Sequence, residues 1–407
     1  MKLLNLNSEK FTYACFVSAV VCCVLVLSYL REPLFFLQPR IWAEEGTVHI
    51  QAALNNGILS SLIQPHLGYY SFFNNYVVGL GIAIFGLEKI AYVTTIFSAV
   101  VILATLFAPL VLTSSYWRSN TKKGLIIFFA LLVGSGEIWV NTVNTQFYFG
   151  LFTCFLLFSE TVKLSGWRYV YVFVMLIQAA LTGVTSVIFL PFFLWKYFIQ
   201  EKKSDVDLKI VAVLCLGLIV QLGSLFYLKM DGELGRFSLT NLPNFPFGTL
   251  SNLTAFIPNT ADNTKILLLV VLLFTGFYQR MKISLISPII VAVYASTVFA
   301  FLALEMRGAE RYGYIPSVLV FVFLLSLLPS KHKLLDLMLI SIIGAVLLLS
   351  LSKFFKTDHF YNHAWVPYDV ERAYRQGSGM LYIKIFPQWE HTNLVIELPE
   401  KEYERHQ

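Results

Sequence analysis

Long apolar runs fill most of the chain, and short polar or basic stretches cut between them. A helix needs about 20 mostly apolar residues to cross a membrane. The first such run is 11–30, preceded by Lys2 and Lys10 and followed by no small-residue cleavage site. It reads as a retained first helix, not as a cleaved leader. Basic clusters then recur at Arg118/Lys122/Lys123, Lys163/Arg168, Lys196/Lys202/Lys203/Lys209, Arg280/Lys282 and Lys331/Lys333. Putting all of them in the cytoplasm with the N-terminus gives one consistent topology. That topology permits a single crossing between Tyr69 and Leu112, at 90–112. The preceding stretch, 69–86, contains Asn74, Asn75, Gly79, Gly81 and Gly86 and is expected along the outer membrane surface. Further crossings are expected at 124 to about 138, 147–162, 169 to about 181, 187–198, 210–228, 266–277, 285–304, 314–328 and 335–351. The total is eleven, with the tail from Lys353 outside; the shorter crossings are expected to tilt or to extend at their ends.

Composition agrees with this pattern. Of 407 residues, 57% are hydrophobic and 13% charged, about half the soluble average of roughly 25%. Mean hydropathy is +0.69. These values exclude an ordinary soluble enzyme, a disordered chain and a fibrous repeat. The fold class expected is an all-α polytopic membrane protein. The net charge of +6 is the positive-inside bias of short loops, so membrane lipids and not nucleic acid are the expected surroundings. Cys15, Cys22, Cys23, Cys154 and Cys215 lie in apolar segments and form neither a metal spacing nor a disulfide framework. No fixed-period repeat is visible. Residues 1–352 form the membrane domain. In 353–407, the period-2 alternation of 380–389 and 394–398 predicts two short strands and hence a small outer cap.

Three outer stretches collect the polar residues. The first is Arg40-Ile41-Trp42-Ala43-Glu44-Glu45-Gly46-Thr47-Val48-His49. Its two acids suit either the N-terminus of a helix over 47–54 or a general base that orients a hydroxyl. Pro65-His66-Leu67-Gly68-Tyr69-Tyr70 follows as a polar-aromatic turn, where a lone His is more often an interface residue than a ligand. The second stretch holds Glu137, Asn141 and Asn144, whose i, i+4, i+7 spacing predicts one helical face, and Gln146. Such a face lines either a wet cavity or a helix–helix hydrogen-bonded seam. The third is Glu305-Met306-Arg307-Gly308-Ala309-Glu310-Arg311-Tyr312. It offers either surface salt bridges or a phosphate clamp; outer arginines run against the positive-inside bias and favour the clamp. The 229–265 segment, with three prolines, reads as a shaping loop. No Gly-rich phosphate loop, HExxH, GxSxG or DxD is present.

Taken in order, these stretches resemble the GT-C class of membrane glycosyltransferases, and within it the bacterial enzymes that decorate O-antigen, including serotype-converting glucosyltransferases. The resemblance runs loosely from end to end. It is carried by Trp42-Ala43-Glu44-Glu45-Gly46, Pro65-His66-Leu67-Gly68-Tyr69, Asn144-Thr145-Gln146-Phe147-Tyr148, Leu181-Thr182-Gly183, Arg311-Tyr312 and Ile383-Lys384-Ile385-Phe386-Pro387-Gln388-Trp389. It implies a polyprenyl-phosphate sugar as donor, a surface glycan as acceptor, and surface-lying helices in the first outer loop. It also implies an acidic base in that loop; Glu44 and Glu45 stand where an Asp is often found, which leaves open which of them acts. Arg307, Arg311 and Tyr312 are then expected to hold the donor phosphate. Arg40, His66, Tyr69, Glu137, Asn141, Asn144 and Gln146 are expected to position the acceptor. The resemblance fixes no cofactor, and a divalent metal could sit on Glu137, Asn141 and Asn144. The location implied is a bacterial inner membrane. The rival readings are an O-antigen polymerase or ligase and a flippase of lipid-linked sugars.

Overall fold

The computed structural model describes residues 2–66, 68–134, 136–199, 204–230, 245–256, 286–302, 310–330, 332–355, 380–385 and 393–397. The chain is built chiefly of helices. α1 (Lys2–Arg31) leads into short α2 (Leu34–Leu37), α3 (Gln51–Asn55) and α4 (Ile58–Ile63), then α5 (Phe72–Phe85), α6 (Ile90–Leu106) and α7 (Ala108–Val111). The series continues with α8 (Asn120–Val133), α9 (Thr145–Leu157), α10 (Trp167–Leu181), α11 (Leu190–Ile199), α12 (Asp205–Met230) and α13 (Phe245–Leu253). α14 (Pro288–Leu302), α15 (Glu310–Ser326) and α16 (Lys333–Phe355) follow. Strands β1 (Met380–Lys384) and β2 (Asn393–Glu397) pair antiparallel, Met380 opposite Glu397.

Among the described residues, four helical stretches are long and apolar enough to cross a membrane: Phe11–Arg31, Leu87–Leu106, Asp205–Leu228 and Lys333–Phe355. At about 1.5 Å per residue, 20 residues reach about 30 Å, the hydrocarbon thickness. Their outer sides present Leu25, Val26, Ile96, Val100, Leu216, Ile219, Leu337 and Leu348. Apolar side chains this large, exposed all along a helix, require lipid as the solvent. The protein is a helical membrane protein.

The other apolar helices are shorter, and packing explains why. Every residue of α9 is buried, enclosed by α6, α10 and α15. It is a core helix inside the bundle, where irregular flanking backbone is tolerated. α8 stops at Val133, short of the Ile138 expected. Gly134 follows, and its carbonyl accepts from Arg31 Nη2 at 2.6 Å. The Arg31 guanidinium lies over the rings of Trp139 and Phe354, 4.6 Å from each centroid. One cation thereby ties the ends of α1 and α8 to α16.

α5 covers 14 residues, roughly 21 Å and too short to cross alone. Asn74 and Asn75 are buried in it against the segment that follows α1. The 266–277 crossing lies outside the described residues. Ile385, directly after β1, is fully buried, and a Cβ on Gly46 would come within 2.9 Å of it. β2 packs on α3. The end of the chain therefore meets the segment that follows α1.

Candidate active site

The segment after α1 turns inward through Arg40 and Trp42 and then winds as a π-helical turn, Glu45–Ile50, a form frequent at functional sites. Its side chains divide by burial. Glu45, Gly46, His49 and Ile50 are buried, whereas Glu44, Thr47, Val48 and Gln51 are partly or fully open. The two adjacent acids thus point different ways.

Glu45 is sealed. Its Oε2 accepts from the Trp42 N–H at 2.8 Å, and its Oε1 accepts from the Thr142 N–H at 2.6 Å and the Thr142 hydroxyl at 2.8 Å. Burial pushes its carboxyl above the ordinary range, against the pull of these donors and of Arg40. Arg40 is 1% exposed, with its guanidinium 4.5 Å from the Phe35 centroid and 4.9 Å from that of Trp42. It donates from Nη2 to the Trp139 carbonyl at 3.4 Å and feels the charges of Glu45 and Glu32. Burial brings its pKa down to about 9. Glu45 and Arg40 join the segment after α1 to the loop that carries Trp139 and Thr142. Trp42 and Thr142 occupy both oxygens of Glu45, and Phe35 and Trp42 close over Arg40, which leaves Glu45 without a free oxygen to act as base and Arg40 without an open face for an acceptor.

Glu44 is placed otherwise. It precedes the π turn without capping it. Its Oε2 is buried and has no hydrogen-bond partner among the described residues. It acts electrostatically on Tyr69 and on Arg311. The Tyr69 phenol, pushed up to about 12 by burial and by the Glu44 charge, stays protonated and accepts from Gln146 Nε2 at 3.2 Å. Arg311 donates from Nη1 to Glu137 Oε1 at 2.6 Å, both side chains about one-fifth exposed. Its neighbour Tyr312 packs edge-on against Phe147, centroids 5.7 Å apart. Glu44, Tyr69, Glu137, Gln146, Arg311 and Tyr312, from stretches far apart in the chain, therefore meet. Arg307 lies outside the described residues.

Glu137, Asn141 and Asn144 converge, but not on one helix. Glu137 sits in a short 3-10 turn, Gly136–Ile138, and the chain then folds back so that Asn141 Nδ2 and Asn144 Nδ2 both donate to the Glu137 carbonyl, at 2.8 and 2.9 Å. The i, i+4, i+7 spacing was satisfied by a loop instead of a helical face. Val140 within it has φ +51, a conformation that a β-branched residue adopts only under strong constraint. Asn141 Oδ1 is taken by the Asn144 N–H at 2.9 Å, and the Glu137 carboxylate by Arg311. The Glu137 carbonyl, Glu137 Oε1 and Asn141 Oδ1 are thus engaged within the loop and by a cation. Among the described residues no cluster of three or more His, Cys, Asp or Glu is arranged to hold a metal ion.

The turn bearing Tyr69 is fixed from both sides. His66 and Tyr69 exchange backbone hydrogen bonds at 3.0 and 3.1 Å, with Gly68 at φ +94. Gln221 clamps Tyr70, accepting from its N–H and donating to its carbonyl, each at 3.0 Å. The Gly183 N–H also reaches the Tyr70 carbonyl at 3.0 Å, and Thr182 Oγ1 accepts from the Phe73 N–H at 3.1 Å. Gly183 has φ +73, and a Cβ there would fall 2.2 Å from Gln146 Oε1. Behind the turn, His49 Nδ1 bonds Asn75 Oδ1 at 2.9 Å, and Asn74 Nδ2 approaches His49 Nε2 at 3.3 Å. Burial and the adjacent His66 lower the His49 pKa to about 3, so the ring is neutral. His49, Asn74, Thr142 and Gln221 were not foreseen as site residues. Only the cost of placing polar groups in a membrane protein's core pointed to them.

Comparison with family models, with curated proteins and with solved structures finds no match to this chain.

Proposed function

We propose that the chain is a glycosyltransferase that moves a sugar from a polyprenyl-phosphate donor to a hydroxyl of a surface glycan, such as O-antigen, on the outer membrane face. One observation carries the reading: an unpartnered carboxylate oxygen of Glu44 lies in electrostatic reach of the guanidinium of Arg311. An acid and a cation held close without quenching each other suit a reaction in which a proton leaves one side and negative charge builds on the other.

Glu44 takes the proton of the acceptor hydroxyl. That oxygen forms the new bond to the anomeric carbon, and the bond from that carbon to the phosphate oxygen breaks with its electron pair left on the phosphate. Inversion follows from the single displacement. Arg311, oriented through Nη1 by Glu137, stabilises the departing polyprenyl phosphate, with Arg307 and Tyr312 assigned beside it. Tyr69, kept protonated, donates a hydrogen bond to a substrate oxygen, and Gln146 holds its phenol in place. In this reading eleven helices cross a bacterial inner membrane, the N-terminus is cytoplasmic, and the tail caps the site from the periplasm. The contact of Ile385 with Gly46 supports placing the tail and the first outer loop on one side.

The test is reconstitution in liposomes with lipid extract as donor and glycan as acceptor. A transferase releases polyprenyl phosphate and lengthens the glycan with no ion gradient. Lipid-linked sugar that moves between leaflets intact points instead to a flippase.

A further inference from the structure

On the open side of the π turn lies a cleft of about 310 Å³, at the lower end of the range for small-molecule sites. Its polar lining is Thr47, Gln51, Asn55, Asn56 and His66, above Val48 and Ala52. The cleft shares two supports with the site described above. Glu44 lies on the open side of the same segment as Thr47 and Gln51, and His66 is laddered to Tyr69. Among the described residues His66 Nε2 has no hydrogen-bond partner.

Chemistry narrows the occupant. Among the described residues no lysine, arginine, aspartate or glutamate lines the cleft, so neither a phosphate nor a cation finds its counter-charge there. Burial lowers the His66 pKa, which keeps that ring neutral near pH 7. What remains is three carboxamides, a hydroxyl and an imidazole. Each carboxamide offers two donors and one acceptor oxygen. Paired donors and acceptors of this kind match vicinal hydroxyls, while Val48 and Ala52 give an apolar floor for the C–H face of a sugar ring. Asn56 Nδ2 donates to Gln64 Oε1 at 2.9 Å, which fixes the orientation of its amide at the rim.

We propose that this cleft is a glycan subsite that takes an uncharged saccharide and seats the acceptor chain beside Glu44. The assignment rests on the transferase reading for its purpose, but not for its chemistry. Uronates, sulfated sugars and phosphosugars are disfavoured, because the open lining supplies amides, a hydroxyl and a neutral ring but no cation to pair with their charge.

The test uses the full-length protein in detergent on an array of neutral tri- to pentasaccharides with their uronate, sulfated and phosphorylated counterparts. Binding is expected on neutral glycans alone. Gln51→Ala and Asn55→Ala are each expected to weaken it about fivefold, the loss of roughly one hydrogen bond, with melting temperature unchanged. Gln51→Glu is expected to abolish it. Binding of acidic or phosphorylated glycans, no glycan binding, or full binding by both alanine variants overturns the subsite. Sugar transfer is measured on the same preparation. Transfer without glycan binding rejects the cleft and spares the transferase; glycan binding without transfer does the reverse.

Discussion

Glu44 and Glu45 are adjacent in the chain and live in opposite surroundings. Glu45 faces the core, where three donors hold both its oxygens and the charge of Arg40 acts on it. Glu44 faces the space shared by Tyr69 and Arg311 and keeps one buried oxygen without a partner among the described residues. The contrast separates two placements of an acid. One is saturated by hydrogen bonds and holds two segments together. The other, on the partly open side, keeps a buried oxygen under-satisfied, a condition that costs stability.

The largest effect that tests this contrast is on stability. Glu45→Ala removes one of the two acids that neutralise Arg40 and orphans the Thr142 donors. A loss of about 3–5 kcal/mol is expected, seen as a collapse of the melting transition in detergent. Melting close to wild type would show that Arg40 and Glu45 do not depend on each other. Glu44→Gln is expected to leave melting nearly unchanged while transfer falls about 10²–10⁴-fold, the usual worth of a positioned base. Arg311→Ala is expected to cost about 10²–10³ in rate. Arg311→Lys should restore only part of that, because the ammonium lacks the planar fork. Equal rates for the two Arg311 variants would argue against a phosphate clamp.

Smaller effects concern the frame. Gly183→Ala forces a side chain into a φ of +73 and against Gln146. The expected cost is about 1–3 kcal/mol, with a rise in acceptor KM as Gln146 releases Tyr69. His49 sets a pH dependence. Its pKa is lowered from 6.5 to about 3 in the folded protein, so between those values the unfolded chain binds more protons. Stability is therefore intact above about pH 6.5 and falls as pH drops, by up to about 1.4 kcal/mol per unit. His49→Asn, which cannot titrate, should flatten that slope between pH 6.5 and 4; an unchanged slope assigns it elsewhere.

Much of the frame was legible in the residues because membrane insertion writes itself as apolar length. α1, α6, α12 and α16 fall on runs visible in the chain. α9 was legible as apolar but not as central, since a helix buried in protein and one bathed in lipid have the same composition. The end of α8 was misjudged because the apolar run stops at Val133, and Gly134-Ser135-Gly136-Glu137 separates it from Ile138. At the site, the grouping of Glu44, Tyr69, Glu137, Gln146 and Arg311 followed from outer polar stretches having few places to go. The division of labour between Glu44 and Glu45 did not, because it depends on the phase of a π turn and on Thr142, a residue with no chemistry of its own to announce it. Arg40 misled for the same reason: an outer arginine suggests a ligand, and here Phe35 and Trp42 close over it.

The most direct measurement is the rate at which Glu44→Gln releases polyprenyl phosphate in liposomes supplied with donor lipid and glycan, relative to wild type at equal folded concentration. A fall of about 10²–10⁴-fold with unchanged melting is expected. Wild-type release rates in the Gln variant would mean that the carboxylate facing Arg311 is not the base.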